Sequence, residues 1–171
     1  MAGIFEDVPE SLTALKLEAW QAFLEAHAQV RAALASQMDI DSDLPLAWYD
    51  LLLHLVRSDS DRVRMHELAD SLTLSRSALT RFIDRVEKAG LVHRESSPED
   101  RRGTYVVLSE KGRAAFLDAA PRHLQALERH FAHHLTDEEA KTLLEAFGRV
   151  AAATRRGTVF PLVREPSIKS A

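Results

Sequence analysis

Apolar positions recur at spacings of three and four through most of this chain and give way to short β-branched runs at only two places. From Ser11 to Met38, the residues Leu12, Leu15, Ala19, Phe23, Ala26, Val30 and Ala33 fall on one stripe of a long amphipathic helix. A second stripe of Leu17, Trp20, Leu24 and Ala28 widens the apolar face, so this helix needs partners on more than one side, and a dimer interface is one way to supply the second. The polar run Asp39–Leu44 breaks the pattern. Pro45 suits a first helical position, and the nearly all-apolar residues 47–58 predict a helix near the middle of the fold. After a polar turn at Ser58–Asp61, Met65–Leu72 reads as a short helix with Leu68, Ala69 and Leu72 inward. Thr73-Leu74 leads to a second helix, with Ser75 as its N-cap, Leu79, Phe82, Ile83 and Val86 on its buried side, and Gly90 as a terminating C′ glycine.

The periodicity then changes. Leu91–Glu95 and Thr104–Leu108 are rich in β-branched residues and predict two strands, joined by the polar hairpin loop 96–103. Ser109 caps a further helix that runs to about Leu135 with a kink at Pro121. Thr136 and Glu139 fit a capping box, opening a last helix whose inward face is Leu143, Phe147, Val150 and Thr154 and which stops at Gly157. The order helix, turn, helix, β-wing over Arg64–Arg113 predicts one helix in a DNA groove and a loop in the neighbouring groove. The fold class is mainly α with a small β-wing.

Composition narrows the function. The 171 residues, 46 % of them apolar, are enough for one domain with a core. There is no cysteine, which excludes disulfides, a thiol switch and cysteine-ligated zinc. Neither an apolar span nor a signal peptide is evident, so the expected location is the cytoplasm. No phosphate-binding glycine loop, Gly-x-Ser-x-Gly or cysteine nucleophile occurs, and no base is placed beside a nucleophile, so the chain is not expected to be an enzyme. The net charge of −4 is unevenly distributed: residues 62–113 carry eleven Lys/Arg against eight Asp/Glu, and the remainder eleven against eighteen. Positive charge is confined to the segment expected to meet phosphates.

With Leu79, Ile83 and Val86 inward, the opposite helix face carries Ser77, Arg81, Asp84, Arg85 and Lys88, with Arg76 and Thr80 near the N-terminal edge. Hydroxyls there can meet phosphates or base edges, and an arginine can fork onto guanine. Arg101 and Arg102 in the hairpin loop suit a narrow, electronegative minor groove. Asp100 is either the residue that orients one of them or an ordinary turn residue.

These motifs resemble the winged helix-turn-helix of the multiple antibiotic resistance regulator (MarR) family. The hallmark wing, Asp-x-Arg followed by Leu-Thr-x-x-Gly, is present as Asp100-Arg101-Arg102 and Leu108-Ser109-Glu110-Lys111-Gly112, the serine keeping the helix cap. The resemblance covers roughly residues 10–157. It implies an obligate homodimer, with a helical dimerisation lobe over 10–40 and 113–157, a winged helix-turn-helix lobe over 44–112 and an irregular tail over 158–171. It also implies a pseudo-palindromic site in double-stranded DNA, with Arg102 in the minor groove and Ser75, Arg76, Ser77, Thr80, Arg81 and Arg85 facing the major groove or its phosphates. The expected function is a ligand-responsive repressor, with no resident cofactor and a small aromatic or anionic effector. Trp20, His27, Trp48, Tyr49 and Asp50 are candidates for the effector crevice, against core packing for the aromatics and an ion pair for Asp50. His130 and His134, spaced i, i+4 in the same helix as His123 and His133, are candidate zinc ligands, with Glu25 or Glu128 to complete a site, or a pH sensor, against the commoner reading of such a helix as a solvated or interface face with no metal. The other alternative is a winged-helix protein-interaction module without DNA binding. It would be expected to have lost Arg81, Arg85 and the wing arginines, which this chain keeps.

Overall fold

The computed structural model describes residues 9–96 and 103–154. The element order is α1 (Ala14–Asp41), α2 (Leu46–Val56), β1 (Arg62–Arg64), α3 (Met65–Ser71), α4 (Arg76–Lys88), β2 (Val92–Ser96), β3 (Thr104–Leu108), α5 (Glu110–His130), a 3₁₀ turn at Ala132–His134 and α6 (Asp137–Thr154). Mostly helical with a three-stranded antiparallel sheet, it is a winged helix fold. The core gathers Leu51, Leu52 and Leu55 of α2, Leu68 of α3, Leu79 and Ile83 of α4 and Val106 of β3, all fully buried. Helix α5 lies against α1 and α2. Among the described residues no helix is long and apolar enough to cross a membrane.

Several expectations are corrected. Strand β1 was not legible: it joins the sheet in the order β1-β3-β2, and only Val63 of its three residues is buried. Pro45 stands at the N-cap of α2 in extended geometry rather than inside the first turn. Helix α5 continues through Pro121. One missing N–H removes one bond, and the other turns of a 21-residue helix hold it. That helix then ends at His130 rather than near Leu135, because Phe131 leaves helical geometry at φ −138° and a 3₁₀ turn follows. Nothing in α6 is buried: Phe147 touches Phe23 of α1 with ring centroids 4.9 Å apart, but Val150 and Thr154 stay exposed. Gly157 and the tail lie outside the described residues.

Candidate nucleic-acid interface

Helix α4 is held from both ends. At its start, the Ser75 hydroxyl accepts the Ala78 N–H at 3.2 Å, so that oxygen is already engaged as the cap. At its end Gly90 takes φ +79°, the left-handed conformation that lets the chain turn sharply into β2. Lys111 Nζ donates to the Ala89 carbonyl at 2.8 Å and completes the C-terminus. Ser109 Oγ donates to the Gly90 carbonyl at 2.7 Å and accepts the Gly112 N–H at 2.9 Å, so one hydroxyl joins this turn to the start of α5. Gly112 is required by space: a Cβ there would stand 2.0 Å from the Leu91 carbonyl oxygen.

Leu79, Phe82, Ile83 and Val86 are buried, and this places Arg76, Ser77, Thr80, Arg81, Asp84, Arg85 and Lys88 on the exposed side. Ser75 and Ser77 approach each other at 3.3 Å between hydroxyls, and Thr80 Oγ1 donates to the Arg76 carbonyl at 2.9 Å. The eight residues 75–77, 80–81, 84–85 and 88 thus form one polar, largely basic ridge. Asp100, Arg101 and Arg102 lie outside the described residues.

A residue that sequence reasoning missed ties this ridge to the wing. Arg94 of β2 donates to Glu87 Oε2 at 2.5 Å and to the Thr80 carbonyl at 3.2 Å, and pairs with Asp84 Oδ1 at 2.7 Å. Its own backbone N–H donates to Glu87 Oε1 at 2.8 Å. One guanidinium therefore neutralises two carboxylates of α4, leaving Arg76, Arg81, Arg85 and Lys88 to set the sign of the exposed face. The sequence signal was an arginine flanked by polar residues on a short strand, which points nowhere until the tertiary contacts exist.

The five effector candidates do not line one crevice. Tyr49 is core, stacked on Phe116 at 5.0 Å and against His123 at 4.2 Å, and burial pushes its phenol up to about 12. Trp20 is exposed beside Phe23, ring centroids 5.7 Å apart. Trp48 borders a cavity of about 690 Å³ with Asp39, Asp43, Lys111, Asp118 and Arg122. His27 and Asp50 border a different cleft of about 1060 Å³, between α1, α2 and α4, together with Arg31, His54, Arg81 and Arg85. Asp50 pairs there with Arg31 at 3.0 Å. Burial holds His54 and His123 below the ordinary imidazole value, opposed in both by the Asp50 carboxylate. The Nδ1 atom of His123 is buried and meets no hydrogen-bond partner among the described residues.

The candidate histidines fall on two elements. His130 closes α5 whereas His133 and His134 sit on the 3₁₀ turn, so the i, i+4 spacing no longer stacks two imidazoles on one helix face. His133 lies 3.6 Å from Glu128. Among the described residues no three His, Cys, Asp or Glu side chains are grouped to hold a metal ion.

Known proteins resemble the chain in sequence and in fold. The MarR family model matches residues 42–103. An uncharacterised HTH-type transcriptional regulator of Bacillus cereus is 32 % identical over 108 residues, 63 % of this chain and 70 % of its own length. The crystal structure of AbsC, a MarR family transcriptional regulator from Streptomyces coelicolor, is 34 % identical with a TM-score of 0.75, over 83 % of this chain and 95 % of that one. Sco3205, a MarR family regulator from the same organism crystallised in complex with DNA, is 33 % identical with a TM-score of 0.76, over 90 % of this chain and 99 % of that one. Fold, motifs and these similarities together place the chain in the MarR family of DNA-binding transcriptional regulators.

Proposed function

We propose that the chain works in the cytoplasm as a homodimeric repressor on a pseudo-palindromic operator and is released by a small anionic aromatic ligand. The observation that carries the dimer is an uncovered apolar face. Leu15, Trp20 and Leu24 of α1, Leu117 and Leu124 of α5, and Leu144 and Val150 of α6 are 45–74 % exposed in the single chain. That much apolar surface over three helices calls for a partner, and a second copy meets it with the same face through a two-fold axis. Two α4 ridges set about one duplex turn apart, ~34 Å, then read symmetric half-sites. Sco3205, crystallised with DNA, supports the duplex as target.

The ligand reading rests on the larger cleft. Arg31, Arg81 and Arg85 line it with His27 and His54, and with the carboxylates of Asp50, which pairs with Arg31, and Asp84; three guanidiniums against two carboxylates leave a net cation for a carboxylate or phenolate on a planar ring. Arg81 and Arg85 belong to the recognition helix, so an anion drawn into the cleft and a DNA phosphate compete for the same cations. The competition shifts the population away from the DNA-bound state. The test is fluorescence anisotropy on a duplex selected from a random pool by the protein itself, titrated with hydroxybenzoic acids and urate. Weakened DNA binding by at least one of these anions, lost in Arg31→Ala, is the expected result. Unchanged affinity across the panel contradicts ligand release.

A further inference from the structure

We propose that Thr73 is a positioning residue for DNA binding: held in a left-handed backbone conformation, it fixes the N-terminal end of α4. This rests on the reading that this end of α4 enters a groove of the duplex.

Only Thr73 and Leu74 separate Leu72, which closes α3, from Ser75, which caps α4. Backbone hydrogen bonds close this turn. The Leu74 N–H donates to the Ala69 carbonyl at 2.9 Å and the Thr73 N–H to the Asp70 carbonyl at 3.3 Å. That pair of bonds is the Schellman ending of a helix, which puts the residue after the C-cap in the left-handed region. Thr73 is that residue, at φ +53°. Glycine is the usual occupant, because a Cβ there crowds the following carbonyl. A β-branched residue is a steric outlier at such an angle.

The surroundings hold Thr73 in place. Leu68 and Ala69 are buried, and Leu72 and Leu74, its two chain neighbours, pack against the core. A move to the extended or right-handed region would break both hydrogen bonds and swing one of these leucines away from the core. The Thr73 side chain itself is exposed, so packing does not select threonine over glycine. What it supplies is restriction: glycine ranges widely over positive φ, whereas a residue with a Cβ is confined to a small region near the angle seen here.

Restriction matters because of where α4 is anchored. Its buried side chains begin only at Leu79. Ahead of them Ser75, Arg76 and Ser77 are exposed and Ala78 is partly buried. The Ser75 cap bonds the Ala78 N–H, so it moves with this end rather than tying it to the core. The turn is therefore what restrains the end of α4 from upstream. Base edges are read by hydrogen bonds with narrow angular tolerance. An end free to wander must be ordered when DNA binds, and that ordering weakens affinity. The strained turn gives up stability in return for a preset surface.

Thermal melts and anisotropy titrations compare wild type, Thr73→Gly and Thr73→Ala on the wild-type-selected duplex and on a scrambled one. The glycine variant should melt about 2 °C higher, its backbone strain relieved. It should nevertheless bind the selected duplex about threefold more weakly, an effect the size of glycine's extra backbone freedom. Its affinity for the scrambled duplex should be unchanged, since that binding is carried by phosphates. The alanine variant keeps a Cβ and should stay within about twofold of wild type on both duplexes. Wild-type affinity of Thr73→Gly for the selected duplex overturns the proposal. So does an alanine variant as weak as the glycine one, which would assign the effect to the hydroxyl, and so does a glycine variant that loses Tm together with affinity for both duplexes. Failure of wild type to bind either duplex overturns the underlying DNA reading instead.

Discussion

Helix α4 buries four apolar side chains within its own chain, whereas α6, patterned with a similar spacing, buries none. The same contrast separates the two halves of the molecule. Around the sheet, α2, α3, α4 and β1–β3 enclose Leu51, Leu68, Ile83 and Val106 completely. Along the other half, Leu117, Leu124, Leu144 and Val150 are each about 60 % exposed. Periodicity states that a face is apolar; it does not state what covers it. One half closes on itself; the other leaves its apolar face uncovered among the described residues, which is where the proposed second copy would sit.

Three substitutions sharpen that contrast, in falling order of expected effect. Gly112→Ala strikes the closed half at the contact between α5 and the end of the α4–β2 turn. Its new methyl meets a backbone carbonyl that cannot step aside, so denaturant melts should show a loss of about 3 kcal/mol, the upper part of the usual overpacking range. Wild-type stability would show that α5 docks elsewhere. Leu117→Glu with Leu124→Glu strikes the open half, where both side chains already face solvent in the single chain. Sedimentation should show monomers at concentrations where wild type is dimeric, with the helical signal retained. Dimers that persist would move the interface off α5.

Arg94→Ala tests how the wing serves α4. Its side chain is 27 % exposed, so part of each ion pair is screened. Stripping it still leaves Asp84 and Glu87 uncompensated on α4, the helix proposed to enter the groove, and DNA binding should weaken by roughly 2 kcal/mol. Adding Asp84→Asn and Glu87→Gln should restore affinity without restoring Tm; restoration of neither would reduce Arg94 to packing.

A smaller effect follows from the buried imidazoles. His54 and His123 titrate below 6.5 in the folded chain, so the unfolded chain takes up protons first as pH falls. Stability should be full above pH 6.5 and decline below it. His123→Phe keeps a ring against Tyr49 and removes one titrating group, so its Tm should fall less between pH 6.5 and 5.5. Parallel curves for the two proteins would remove His123 from the acid response.

The shape of the exposed α4 ridge was legible because it rests on local rules: the Ser75 cap, the i, i+4 apolar set and Gly90 each act within a few residues. Strand β1 was not, since three residues with a single apolar position give no alternation to detect. Arg94 was hidden because its partners lie 7, 10 and 14 residues back and only the folded sheet brings them together. The effector candidates fared differently for a geometric reason. Trp48, Tyr49 and Asp50 are consecutive on α2, and each step turns the helix by about 100°, so they face one cavity, the core and another cleft in turn. Adjacent aromatics in a helix do not share a pocket.

The most direct test of the whole account is stoichiometric: titrate the protein into a symmetric duplex, selected from a random pool, at a DNA concentration far above Kd, and follow anisotropy to its break point. Two chains per duplex, with saturation abolished in Leu117→Glu/Leu124→Glu, is the result this account predicts. A break at one chain per duplex, or undiminished saturation by the monomeric variant, would contradict it.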